Sequence, residues 1–163
     1  MNITKYTMKF ALFVFLQLIL SCSADNEQEN FVVNTMVEFK LSDDQGNDLL
    51  NPKNPNAYEE SQIRLFYSSN DALVEVYDPL MDHPRNFLIY PHENEYRIRI
   101  FLNNDSNEER PVTVIQWSAT NQDVLKAEIR RTSNAELIQT IWLNETLIWD
   151  TSHHTEPYFE LVK

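Results

Sequence analysis

Apolar and polar residues alternate with period two through most of the chain beyond residue 34. In Thr35–Leu41, the side chains of Thr35, Val37, Phe39 and Leu41 share one face while Glu38 and Lys40 take the other, which is the pattern of a half-buried β-strand. Tyr96–Leu102 repeats it, with Tyr96, Ile98, Ile100 and Leu102 inward and Arg97 and Arg99 outward. Val124–Arg130 does the same through Leu125, Ala127 and Ile129, and Val112–Trp117 is β-branched and opens just after Pro111. Ile63–Tyr67 and Leu73–Tyr77 flank Ser68-Ser69-Asn70-Asp71, a hairpin loop by composition. Phe87–Tyr90 lies between Pro84 and Pro91 and reads as an edge strand. Leu137–Leu143 and Thr146–Trp149 are separated by Asn144-Glu145, so a two-residue turn would set Trp142 opposite Leu147 and Ile141 opposite Ile148. No stretch holds a helical period for long. These segments predict an all-β fold, an antiparallel β-sandwich of immunoglobulin-like or related type, with a small β-barrel as the alternative.

The first twenty-two residues break the pattern. Lys5 and Lys9 precede the run Phe10–Leu20, apolar except at Gln17, which suits an export signal and falls short of the about 20 residues of a membrane span. Ile19-Leu20-Ser21-Cys22 follows and resembles the lipobox of bacterial lipoproteins. The resemblance implies cleavage before Cys22 and acylation of its sulfur. Cys22 is the only cysteine in the chain, so no internal disulfide competes for it. The expected organisation is a signal peptide over 1–21, an acylated cysteine and acidic tether over 22–34, and a single domain over 35–163. Acidic residues just after the cysteine, Asp25, Glu27 and Glu29, also resemble the surface-export signal of some Bacteroidetes lipoproteins, a plain periplasmic linker being the other reading.

Phe39–Pro52, in which a first strand runs into Gly46-Asn47-Asp48-Leu49-Leu50, and the closing stretches Asp123–Glu128 and Ile141–Trp149 resemble a group of small Bacteroidetes lipoproteins. In that group the last hairpin turn is usually Asn-Gly, whereas this chain has Glu145. The group has no established activity, so the resemblance implies a β-sandwich held at the outer membrane by a lipid on Cys22, on its outer or its periplasmic face.

Charge and composition narrow the function. The formal net charge is -12; loss of Lys5 and Lys9 with residues 1–21, which hold no acid, takes it to -14 (-12 minus 2). Such a surface argues against nucleic-acid binding. A single glycine, Gly46, excludes phosphate-cradling loops, dinucleotide fingerprints and nucleophile elbows, which need several. Asp43, Asp44, Asn47 and Asp48 around Gly46 offer oxygens to calcium, but without EF-hand spacing, and a solvated turn is the simpler reading. Asp150, His153, His154 and Glu156 form a second polar cluster, in which adjacent histidines on an extended chain point apart. His83 and His92 sit in loops, and no local motif brings a nucleophile to a base. The expectation is a protein without cofactor or resident metal and without enzymatic activity, in a binding or structural role, with a surface glycan-binding module as the alternative and a hydrolase behind it. Aromatics are the remaining surplus: Trp117, Trp142 and Trp149 are candidates for stacking sugar rings, and Phe66, Phe101 and Tyr77, opposite the expected core by alternation, for contact with a glycan or an envelope protein.

Overall fold

The computed structural model describes residues 30–70 and 72–163. In chain order its strands are β1 (Val32–Asn34), β2 (Met36–Ser42), β3 (Arg64–Ser69), β4 (Ala72–Glu75), β5 (Phe87–His92), β6 (Glu95–Phe101), β7 (Val112–Ser118), β8 (Asn121–Arg131), β9 (Ala135–Leu143), β10 (Thr146–Asp150) and β11 (Tyr158–Val162). Short 3-10 turns at Glu60–Gln62 and Thr151–His153 are the only helical pieces among the described residues. A seven-stranded sheet runs β1-β9-β8-β7-β3-β4, with β10 also on β9, and a four-stranded sheet runs β11-β2-β6-β5. One sheet curls into a half-barrel, but the two stay separate, giving a sandwich rather than a closed barrel.

Two pairings correct the expectation of a purely antiparallel fold: β1 lies parallel to β9, and β11 parallel to β2. Both strands were also missing from the expected set. Residues 32–34 belong to the folded body rather than to a tether ending at 34, since Val32, Val33 and Asn34 are in register with Ala135, Glu136 and Leu137. Thr35 alone separates β1 from β2, so the chain passes directly from the larger sheet to the smaller.

The core lies between the sheets. Val37, Phe39 and Leu41 of β2 and Ile98 and Ile100 of β6 meet Leu65, Ile115, Trp117, Leu125, Ala127 and Ile141 from the larger sheet. Each fully buried Val, Leu, Ile or Phe contributes about 1.5–3 kcal/mol. Bulges adjust the alternation where it would fail. Ile138 and Ile141 are three residues apart yet both buried, because the β8–β9 register steps from Glu128↔Thr140 to Ile129↔Ile138 and leaves Gln139 over. Ile148 is likewise extra in β10, so Leu147 faces Trp142 as expected, but Ile141 faces Trp149 in place of Ile148.

A buried polar clasp joins the two sheets at one end. Asp123 of β8 is 4% exposed; its carboxylate accepts from Trp117 Nε1 at 2.6 Å and Asn144 Nδ2 at 2.8 Å, and pairs with Lys163 Nζ. Lys163 follows β11 of the other sheet, and its backbone N–H donates to Ser42 O at 2.8 Å.

Candidate functional site

Residues 76–86 cross from β4, on the edge of the larger sheet, to β5, on the edge of the smaller. The crossing is held closed at its neck, where Asp78 N donates to Pro84 O at 2.8 Å. Leu80 N donates to Asp78 Oδ1 at 2.9 Å and Met81 N to Asp78 O at 3.2 Å, an Asp-initiated turn that lifts Leu80 and Met81 to the tip. Asn86, at φ 52°, reverses the chain into β5; its N–H donates to His83 O and its carbonyl accepts from Phe101 N. Beneath it Tyr67 Oη donates to Phe101 O at 2.6 Å and accepts from Asn86 Nδ2 at 3.1 Å. Burial raises the Tyr67 phenol above its ordinary range, against a smaller lowering by the Asn86 bond, so it remains a neutral donor.

A depression opens on each side of the crossing. The first, about 590 Å³, is lined by Glu60, Tyr77, Asp82, His83 and Arg85, with Phe87 behind them. Arg85 Nη1 donates to Ser61 O at 3.0 Å and Ile63 O at 3.1 Å, and its Cζ lies 5.9 Å from the centre of the Tyr77 ring. Tyr77 is 60% exposed. The exposed Tyr77 ring, with the Arg85 guanidinium over it, thus shares this depression with the carboxylates of Glu60 and Asp82. The second depression, about 450 Å³, has Val33, Leu80, Met81 and Phe101 among its walls, together with Thr35, Asn86 and Asn104. His83 stacks on Phe101 at 6.5 Å and 19° and so forms part of the wall between the two.

Elsewhere the polar groups are engaged with one another. On the outer face of the smaller sheet, Glu38 accepts from Arg99 Nε at 2.9 Å and Nη2 at 2.6 Å and from Tyr90 Oη at 2.5 Å. Burial pushes the Glu38 carboxyl up, but the Tyr90 hydrogen bond together with Arg99 and Arg97 outweighs it and holds the group below its ordinary range. Arg97 Nε bonds Glu95 at 2.6 Å and its Cζ sits 4.1 Å over the Tyr158 ring. Burial and the hydrogen bond to Glu95 push the Tyr158 phenol up to about 12.

The carboxylates of Asp43 and Asp48 near Gly46 are likewise taken by the chain itself. Asp43 accepts from Gln45 N, Asn47 N and Asn47 Nδ2, and Asp48 accepts from Leu50 N and Tyr96 N. Gly46, at φ 81°, supplies the positive dihedral of this turn. Asp150 and His153 close the capping box of a 3-10 turn, and His154 departs at φ 54°. Among the described residues no three His, Cys, Asp or Glu side chains converge as a metal site would require.

The candidates read from the sequence separate. Trp117 is fully buried and Trp149 nearly so, its Nε1 donating to Thr155 O at 3.2 Å. Trp142 is half-buried with Arg110 Cζ 4.7 Å over its ring, so the indoles provide no shared stacking platform. Phe66 is half-buried on β3 between Glu75 and Val114. Tyr77 and Phe101 are the two that the fold brings near each other, on opposite sides of the crossing. Arg85, Leu80 and Met81 were not singled out from the sequence. A signal was there: Leu80-Met81 is an apolar pair set between Pro79 and Asp82 in a polar loop. Cys22 and the acidic residues after it lie outside the described residues. Comparison with protein families, with characterised proteins and with solved structures found no match to this chain.

Proposed function

We propose that the protein is a lipid-anchored component of a bacterial outer membrane, with a binding or structural role and no catalytic one. The observation that carries this reading is Ile19-Leu20-Ser21-Cys22 at the end of an apolar run, with no other cysteine in the chain. Its non-catalytic half is supported by the engagement of Asp123, Glu38 and Asp43 in holding the fold, as described above. Metabolic labelling with an alkynyl fatty acid tests the anchor. The wild-type protein should take up label and fractionate with membranes; Cys22→Ala should lose both and retain residues 1–21. Unchanged labelling in that variant would falsify the reading. Protease shaving of intact cells then assigns the outer or the periplasmic face.

A second reading, glycan binding, is favoured by Tyr77 with Arg85, Asp82 and Glu60 in the larger depression. Sugar C–H faces stack on an aromatic ring, and neutral hydroxyls pair with carboxylate and guanidinium alike. Tyr77→Ala should weaken retention of a neutral oligosaccharide by tenfold or more in affinity electrophoresis, while Trp142→Ala leaves it unchanged. Equal retention by wild type and Tyr77→Ala removes this reading.

A further inference from the structure

Exposed apolar side chains gather where the folded body begins. Phe31, Val32 and Val33 are each half exposed, Met81 is as well, and Leu80 is 92% exposed. Val33, Leu80 and Met81 share the walls of one depression, so these three form a patch rather than isolated exposures, and Phe31 and Val32 directly precede Val33 in the chain. The loop that carries the tip is fixed by the bonds across Asp78 and Pro84 and within the Asp78 turn. Leu80 is therefore held out in water by a closed turn.

We propose that this patch is a seat on the bilayer: Leu80 and Met81, with Val33 beside them, insert into the headgroup boundary of a net-neutral phospholipid surface. The inference rests on the acyl anchor at Cys22. Nine residues, Cys22–Asn30, then join the lipid to Phe31. Fully extended they span about 30 Å, and as a coil roughly 15–20 Å. The body cannot leave the membrane by more than that, and the end it presents first is the one bearing the patch. Interfacial apolar groups settle about 5–10 Å into the headgroup and acyl boundary, a depth that two adjacent side chains at a loop tip can reach. Charge selects the surface. Asp78 and Asp82 bracket the tip, and a mature net charge of -14 (-12 minus the 2 of Lys5 and Lys9) disfavours anionic lipid. The same charge opposes a second copy of the chain docking there.

The test uses full-length acylated protein carrying Leu80→Cys, spin-labelled at that thiol, Cys22 being blocked by its lipid, and reconstituted in phosphatidylcholine vesicles. Val162→Cys is the reference: Val162 is also exposed, but it pairs with Ser42, at the far end of β2 from Thr35. The label at position 80 should favour collision with oxygen over a water-soluble nickel chelate severalfold more than the label at 162. Equal water exposure at both positions, on protein that floats with the vesicles, overturns the seat and leaves the anchor standing. Dipolar broadening at position 80 would put a second copy on the patch and overturn it as well. Protein that does not float overturns the anchor, and the seat with it.

Discussion

Asp123 shows how a single charge is held inside this sandwich. Burial alone would raise its pKa, yet the bonds from Lys163, Asn144 and Trp117 prevail and hold it below the ordinary carboxylate value of 3.8. A folded-state pKa below the unfolded one means the unfolded chain binds more protons in acid. The stabilisation is therefore complete above about pH 3.8 and is lost as pH falls through the folded value. Acid titration of stability by circular dichroism should show this limb in the wild type and a flatter one in Asp123→Asn. Lys163→Met, which leaves the carboxylate buried without its cation, should cost about 3 kcal/mol. Asp123→Asn keeps an acceptor for Trp117 and should cost less, about 1–2 kcal/mol; a reversal of that order in urea denaturation would mean the cation is not what steadies the group. Nothing local in the sequence announced the clasp. Asp123 and Lys163 are forty residues apart, and the alternation that places Leu125 inward marks Asp123 only as sharing its face. The same limit applied to Trp117 and Trp149: a pattern gives a side chain's face but not what covers it, and buried indoles look like exposed ones in sequence.

At the scale of elements, the hairpin between β9 and β10 was legible because two strand-like runs stand two residues apart, at Asn144-Glu145. Asn144 and Glu145 have φ of 47° and 68°, the two positive values of a type I′ turn. Asn144 tolerates that conformation and is further fixed, its Oδ1 accepting from Val124 N at 2.9 Å. Glu145 does not suit it, since a β-carbon in the left-handed region costs roughly 1–2 kcal/mol. Its compensation is a 2.6 Å pair with Lys126, in which the glutamate side chain is 74% exposed, and pairs of that kind contribute about 0–1 kcal/mol. Glu145→Gly should therefore raise stability by about 0.5–1 kcal/mol in thermal or urea melts, and a loss would show the ion pair to be the stronger effect. The elements that escaped sequence reading were β1 and β11. Both are parallel strands whose partners lie about a hundred residues away, Val32 with Ala135 and Tyr158 with Glu38, so no turn announces them. β11 did alternate, Phe159 and Leu161 against Glu160. Five residues after a polar loop do not separate a strand from a loop by pattern alone.

Those two strands decide how the whole molecule is closed. Each sheet receives one parallel strand from an end of the folded body, β1 in the larger and β11 in the smaller. Their contributions differ. β1 has three residues, two of them exposed and none buried, and fixes the body only through its bonds to β9. β11 has five; its Phe159 packs at 5.6 Å against Phe39, Leu161 lies against the core, and Lys163 beyond it completes the clasp on Asp123. Removing residues 31–34 should leave a cooperative fold that has lost about 1–2 kcal/mol, since a few half-exposed side chains and ladder bonds go. Removing residues 158–163 takes away two apolar contacts at about 1.5–3 kcal/mol each and exposes the edge of β2. It also strands a buried carboxylate at about 3–5 kcal/mol. That sum reaches the about 5–15 kcal/mol by which a domain of this size is stable, so this truncation should be unfolded at 25 °C. Far-ultraviolet circular dichroism and urea titration of the two truncations distinguish the cases. Equal losses would mean that the sandwich is closed at β1 as much as at the clasp.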